Sequence, residues 1–140
     1  MADVFHISEA ASIALHVMAL LARVTTRMQA GELSQLTGFP KSHIAKVMGL
    51  LVKAGMLTSD RGPRGGFQLA RPAESISLLE VFEAVEGPVD EHSCGTPCPL
   101  CKSLGCLTGH MAERFNTEFK IYMMNKRLSD FQNIQTITNS

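Results

Sequence analysis

The sequence predicts a mainly α-helical chain carrying one small β-hairpin, and three observations lead there. Apolar residues recur at helical spacing in several separate stretches, a turn rich in Gly stands between two short runs of strand formers, and 140 residues suffice to bury one core. Other classes are excluded by the same inspection. No run approaches the roughly 18 apolar residues of a membrane span, and the amino terminus shows no basic segment followed by an apolar run and a cleavage site. The expectation is a cytoplasmic chain without a membrane partner.

From Ser8 to about Val24, the residues Ile13, Val17, Leu20, Leu21 and Val24 recur at intervals of three and four with no Pro or Gly among them, which gives a first helix. A polar link, Thr25 to Ala30, leads into Gly31 to Gly38, where Leu33 and Leu36 share a face and Gly38 supplies a stop, giving a second, short helix. A third begins after Phe39-Pro40. Ile44, Val47, Met48, Leu51 and Val52 form its apolar stripe, Lys41, Ser42, His43, Lys46 and Lys53 form its outer face, and it ends at Gly55. Two short helices across a Gly-containing turn, the later one basic outside, have the form of a helix-turn-helix.

Met56 to Ser59 and Phe67 to Ala70 read as strands around the turn Asp60-Arg61-Gly62-Pro63-Arg64-Gly65-Gly66. A helix-turn-helix followed at once by such a hairpin is a winged helix, so the expected fold is a winged helix-turn-helix. The third helix would occupy the major groove of double-stranded DNA, with Ser42, His43 and Lys46 at base edges. Lys41, Arg61 and Arg64 would lie on phosphate or in the minor groove, with Gly65 beside them at the wing tip. Charge agrees: residues 1–71 hold eight Lys/Arg against four Asp/Glu, whereas residues 72–140 hold five against nine.

Leu78, Leu79, Phe82 and Val85 predict a fourth helix from Ser77 to Val85, closed by Gly87-Pro88, in an acidic stretch that would face away from DNA. Residues 87–106 read as a loop holding every cysteine. Leu107, Met111, Phe115, Phe119, Tyr122 and Met123 then sketch a long amphipathic helix ending near Leu128, with a polar tail after Phe131. Such a helix would pack on a second copy as a dimerisation helix, since two-fold dimers read two half-sites, or fold back on its own core. The expected division is a DNA-binding unit over 1–86, a cysteine loop over 87–106, a dimerisation helix over 107–130 and a flexible tail over 131–140.

Cys94, Cys98, Cys101 and Cys106 stand as C-x3-C-x2-C-x4-C within 13 residues. In a reducing compartment such a cluster points to metal or redox chemistry rather than structural disulfides. Thiolates bind Fe-S clusters or tetrahedral zinc, and His92 and His110 lie close enough in sequence to complete a site. A thiol switch needs no metal, and Cys98-x-x-Cys101 has a spacing that permits a disulfide. The spacing alone does not choose between these.

Three runs carry a family likeness: Leu50 to Leu57, Arg61 to Leu69, and Ser77 to Gly87, together with Ala14-Leu15-His16 and Leu20-Leu21-Ala22 in the first helix. Over about residues 8–125 the chain resembles the Rrf2 regulators, whose members include controllers of iron-sulfur cluster assembly, nitric-oxide sensors and cysteine-metabolism repressors. The resemblance implies a winged-helix homodimer joined through a long helix after the cysteine loop. Cluster-binding members place three cysteines there, the first and last twelve residues apart, an interval that Cys94 and Cys106 keep. The family's central cysteine falls near Leu100, between Cys98 and Cys101, so one or both of those would serve. The family's His three residues beyond the last cysteine falls on Gly109, one before His110. His16 matches a His ligand of a [2Fe-2S] member, and the acidic ligand of other members falls on Ser12.

The expected function is sequence-specific repression from an operator under the control of a [4Fe-4S] or [2Fe-2S] cluster bound by Cys94, Cys98, Cys101 and Cys106, with His16, His92 or His110 as additional ligands. Alternatives are a cluster-free regulator that senses redox state through its thiols, or a metal or electron carrier. An enzyme is not expected, because no wider active-site pattern accompanies the cysteines.

Overall fold

The structure, a computed structural model, describes residues 1–132. The expected tail lies, beyond residue 132, outside the described residues. Helix α1 (Glu9–Leu21) starts where Ser8 Oγ accepts the Ala11 amide at 3.1 Å. Its apolar spacing puts Ala11, Ile13, Ala14, Val17, Met18 and Leu21 into the core. Fully burying Ile13, Val17 and Met18 is worth about 1.5–3 kcal/mol each before entropy is counted. Val24, expected on this stripe, lies beyond the helix and is exposed, because the chain closes its last turn at Ala22 and Arg23.

Helices α2 (Ala30–Thr37) and α3 (Lys41–Lys53) enclose the turn at Gly38, whose φ of +82° an L side chain rarely adopts. The turn is braced by side chains. Ser34 Oγ donates to the Phe39 carbonyl at 2.6 Å, and Thr37 Oγ1 donates to the Leu33 carbonyl at 2.7 Å while accepting the Phe39 amide. Leu33 is fully buried. Leu36, expected on the same face, is exposed. Ile44, Val47, Met48 and Leu51 fix α3 against the core.

Strands β1 (Leu57–Asp60) and β2 (Gly66–Leu69) pair antiparallel, Leu57 with Leu69 through Asp60 with Gly66. Both lie one residue off the expected bounds, so the wing loop is Arg61 to Gly65. Met28, in the link between α1 and α2, exchanges two backbone hydrogen bonds with Phe67, at 3.0 and 2.8 Å. The polar link is thus joined to the hairpin.

Helix α4 (Leu78–Glu86) opens on a reciprocal cap: the Glu80 amide donates to Ser77 Oγ at 3.1 Å and the Ser77 amide to Glu80 Oε2 at 3.0 Å. Several carboxylates of the acidic stretch are thereby committed. Glu80 also pairs with Arg71 at 3.5 Å, Glu83 accepts the Val89 amide at 2.7 Å, and Glu86 accepts the Ser8 hydroxyl.

The expected loop over 87–106 contains one helical turn, α5 (Cys101–Leu104). Helix α6 (Met111–Asn125) starts four residues later than the apolar spacing suggests, because His110 turns into it with a left-handed φ of 59°. Leu107 therefore stands outside the helix. Met123 is buried in the common core, and Phe119 packs edge-on against Phe82 with ring centres 4.9 Å apart. After α6 the chain returns to the start of α4: the Leu78 amide donates to the Lys126 carbonyl at 2.9 Å and the Leu128 amide to the Ile76 carbonyl at 3.0 Å. No helix among the described residues is long and apolar enough to cross a membrane.

Candidate nucleic-acid interface and cysteine segment

The stripe that buries α3 leaves Lys41, Ser42, His43, Ala45, Lys46, Gly49 and Lys53 exposed. Cations and the amino-terminal end of the helix dipole therefore meet at Lys41 and Ser42, which favours phosphate. Ala45 and Gly49 share the outer face with Ser42 and Lys46, and a Cβ added at Gly49 would meet nothing within 4 Å. Small residues there let a helix backbone approach a groove closely. Sequence reasoning, which looked for polar groups, passed over them, although their register on the helix was already legible.

Arg61 and Arg64 are exposed in the wing loop. Gly65 is different. It is buried, its amide donates to the Gly62 carbonyl at 2.9 Å, and a Cβ there would stand 2.2 Å from the Asp60 carbonyl oxygen. The structure thus gives it a role in closing the loop. His43 also has an unanticipated neighbour, Glu9 Oε1 at 2.5 Å from its Nδ1.

In the cysteine segment all four thiols are free; Cys94 and Cys106 are half-buried, Cys98 and Cys101 exposed. The Cys101 amide donates to the Cys98 carbonyl at 3.0 Å in the turn that opens α5. Cys106 Sγ accepts the His110 amide at 3.2 Å and lies 3.5 Å from Thr108 Oγ1. Its pKa is lowered to about 7, first by the Thr108 hydroxyl, then by the His110 and Thr108 amides, against a lesser opposition from desolvation and with the smallest pull from the His110 ring. All of these bonds favour thiolate, the form that attacks electrophiles and binds metals.

Cys94 lines a cleft of about 670 Å³ with Phe5, His6, Thr96, Thr108 and Arg114. Sequence reasoning missed His6 and Thr108, which carry no spacing signal; only the fold brings the amino-terminal segment onto α6, where the tilted rings of Phe5 and Phe115 have centres 4.7 Å apart. Among the described residues no three His, Cys, Asp or Glu side chains gather closely enough to hold a metal ion. The donor set suits a thiolate-ligated centre in its chemistry, and its sulfurs would have to be drawn together to form one. His92 is exposed, its amide bonded to Asp90 Oδ1 at 2.9 Å, and His110 Nδ1 lies 3.4 Å from Glu113 Oε1.

His16 is exposed on α1 and lies outside the residues lining the Cys94 cleft. Its Nδ1 stands 2.7 Å from the Ser12 carbonyl, which can only accept, so Nδ1 carries the proton and Nε2 keeps its lone pair free. It opens onto an apolar groove of about 490 Å³ lined also by Phe5, Leu15, Phe119 and Tyr122. Beside this groove α6 leaves Met111, Phe115 and Tyr122 exposed along one stripe.

Residues 7–133 match the Rrf2 family, described as "Iron-dependent Transcriptional regulator". The chain is 32% identical over 102 residues to the HTH-type transcriptional regulator IscR of Cereibacter sphaeroides, covering 71% of this chain and 66% of that one. It is 32% identical over 106 residues to IscR of Vibrio campbellii, covering 76% and 58%. Among solved structures it is similar to CymR, the global cysteine regulator of B. subtilis, with a TM-score of 0.75 at 19% identity over 94% of this chain and 99% of that one. Its likeness to T. potens IscR has a TM-score of 0.69 at 19% identity over 91% and 85%. These likenesses show a winged helix-turn-helix fold, and the relatives are transcription regulators rather than enzymes. By sequence and by fold, the chain belongs to the Rrf2 family of DNA-binding transcription regulators.

Proposed function

We propose that this regulator is a cytoplasmic homodimeric repressor that reads an operator with α3 and the wing, and that an Fe-S cluster held by the cysteine segment controls its grip. The observation that carries the reading is Cys106: its thiolate-favouring turn sits at the entry to α6, the helix whose exposed apolar stripe suits a second copy. Ser42, His43 and Lys46 would face base edges, and Lys41, Arg61 and Arg64 phosphate or the minor groove. Gly65 shapes the loop that presents the arginines. Cys94 and Cys106 would supply half-buried sulfurs, and Cys98 and Cys101 exposed ones. His16, His92 and His110 are candidates for a remaining position, and His16 Nε2 has its lone pair free for it.

When bound, the cluster supplies a centre that gains or loses ligands with iron, oxygen or nitric oxide. The chain's own part is mechanical. Ordering the cysteine segment restrains the start of α6, hence the separation of two wings in a dimer, and half-sites lie at fixed spacing. Affinity for DNA and occupancy of the cysteines are then coupled reciprocally.

A second reading, sensing through thiols without a cluster, is favoured by the free, separated cysteines and the low Cys106 pKa. One experiment separates the two. The chain is purified without oxygen, assayed for iron and acid-labile sulfide, and titrated with operator DNA before and after the iron is stripped. Stoichiometric iron and sulfide, with affinity that changes on stripping, support the cluster; iron-free protein whose affinity responds to oxidant and reductant supports thiol sensing.

A further inference from the structure

The wing loop has little inside it to hold its shape. Among the described residues, the backbone bond within Arg61 to Gly65 runs from the Gly65 amide to the Gly62 carbonyl at 2.9 Å, and the arginine side chains are exposed. Its support comes from the link between α1 and α2, residues Arg27, Met28 and Gln29. Arg27 Nη2 lies 3.1 Å from Asp60 Oδ2 at the end of β1. Met28 exchanges its two backbone bonds with Phe67. Gly66 passes so close that a Cβ there would stand 2.5 Å from the Met28 carbonyl oxygen. Gln29 reaches furthest into the loop: its Nε2 donates to the Pro63 carbonyl at 3.1 Å and stands 3.5 Å from the Gly62 carbonyl.

Both neighbours of that amide are acceptors, so the nitrogen must face them. The backbone amide of the same residue is capped by Glu32 Oε1 at 3.2 Å, which fixes Gln29 to the start of α2. One residue therefore ties the wing tip to the first helix of the helix-turn-helix. We propose that Gln29 is a positioning residue for DNA binding: it presents Arg64 at a set reach from α3, by holding the two loop carbonyls that immediately precede it.

The physical gain is preorganisation. An arginine on a loose loop reaches phosphate only after the loop is ordered, and that ordering subtracts from the affinity its charge supplies. The carboxamide also satisfies two carbonyl dipoles that would otherwise sit beside a phosphate chain. The proposal rests on the wing contacting DNA, so the test contains a variant for that contact alone.

The measurement is fluorescence anisotropy with a duplex selected in vitro by the wild-type chain, for the wild type, Gln29→Ala, Gln29→Glu, Arg64→Ala and the double variant Gln29→Ala/Arg64→Ala, with melting temperatures alongside. Removing one hydrogen-bonding side chain at a margin of about 0.5–1.5 kcal/mol corresponds to roughly 2- to 12-fold in affinity. Gln29→Ala is expected to lose that much affinity with its melting temperature lowered by no more than about five degrees. Gln29→Glu, which sets a carboxylate against two carbonyls, loses at least as much. The double variant binds no weaker than Arg64→Ala alone by more than about twofold, because without the arginine its mount has nothing to position. Full additivity, or unchanged affinity in Gln29→Ala, overturns the mount while leaving the wing contact in place. An Arg64→Ala variant that binds like wild type overturns the wing contact, and the mount with it.

Discussion

His43, near the start of α3, holds its Nδ1 2.5 Å from Oε1 of Glu9 in the first turn of α1. Both side chains are about half exposed, so the pair contributes at most about 0.2–1 kcal/mol to stability. In the proposed interface its effect falls on recognition. With Nδ1 engaged, the imidazole is fixed in orientation and Nε2 is the atom left for a base edge. Glu9→Ala is expected to leave the melting temperature almost unchanged while broadening base preference at one operator position per half-site. In vitro selection from a random duplex pool reads this; identical sequence logos for variant and wild type would count against it.

Cys106 is expected to be the cysteine that alkylates at the lowest pH. With a pKa near 7, the iron-free chain carries thiolate at this position above that pH and loses it as pH falls through 7. Its iodoacetamide rate, followed peptide by peptide by mass spectrometry, should therefore reach half its plateau near pH 7, below the ordinary thiol value of about 8.5. Thr108→Val removes the first cause of the shift and should move the midpoint upward. A wild-type midpoint above 8 would show that the turn does not favour thiolate.

Gly66 has φ of +124°, and a Cβ added there would meet the Met28 carbonyl oxygen at 2.5 Å. Gly66→Ala thus combines backbone strain of about 1–3 kcal/mol with a backbone clash. The expected result is a melting temperature several degrees lower and weaker DNA binding, since the hairpin and its seam to Met28 must separate. Gly49→Ala makes the contrast: no atom lies within 4 Å of its added Cβ, so the fold should be as stable or more so, and any loss would fall on DNA affinity alone.

Tyr122 is 53% exposed on the same stripe of α6 as Met111 and Phe115. Placing a charge there tests the dimer reading. Tyr122→Glu is expected to raise the dimer dissociation constant at least tenfold, about 1.4 kcal/mol, in sedimentation velocity at micromolar concentration. If wild type and variant sediment identically as dimers, the interface lies elsewhere.

Much of the fold was legible because three of its cues are local. The three- and four-residue spacing through Ile13, Val17 and Leu21 and through Ile44, Val47 and Leu51 reports a buried face directly. The Gly-rich stretch from Gly62 to Gly66 likewise marks a hairpin wherever it stands. Cues failed where contacts outside the apolar stripe decide. Leu107 has the spacing of α6 but falls outside it, because His110 turns left-handed beneath the Cys106 thiol. Val81, fully buried, was passed over beside Leu78, Leu79 and Phe82. Glu80, Glu83 and Glu86 read as a repelling acidic surface, yet each is used by a cap or a neighbouring backbone or hydroxyl group. In the proposed interface, the cations of α3 and the wing are chosen by residue type and position alone. Glu9, Gln29 and His6 could not be chosen so, since a residue that serves by touching another element leaves no periodic trace.

The return of the chain after α6 onto the strand-like start of α4 makes that helix a lever whose carboxyl end is fastened by backbone bonds, while side chains hold its amino-terminal half, Asn116 Nδ2 donating to the Asp90 and Ser93 carbonyls at 3.1 Å each. The bonds between Lys126 and Leu78 and between Leu128 and Ile76, together with the buried Leu128, hold the carboxyl end against the DNA-reading half. Fifteen residues of helix span about 22 Å. A tilt of about 5° at the fastened end therefore carries the Cys106 end through about 2 Å, the scale on which interfaces between helices re-seat. In the proposed function, chemistry at the sulfurs acts at the long arm, and the fulcrum lies beside the helix that caps on Ser77.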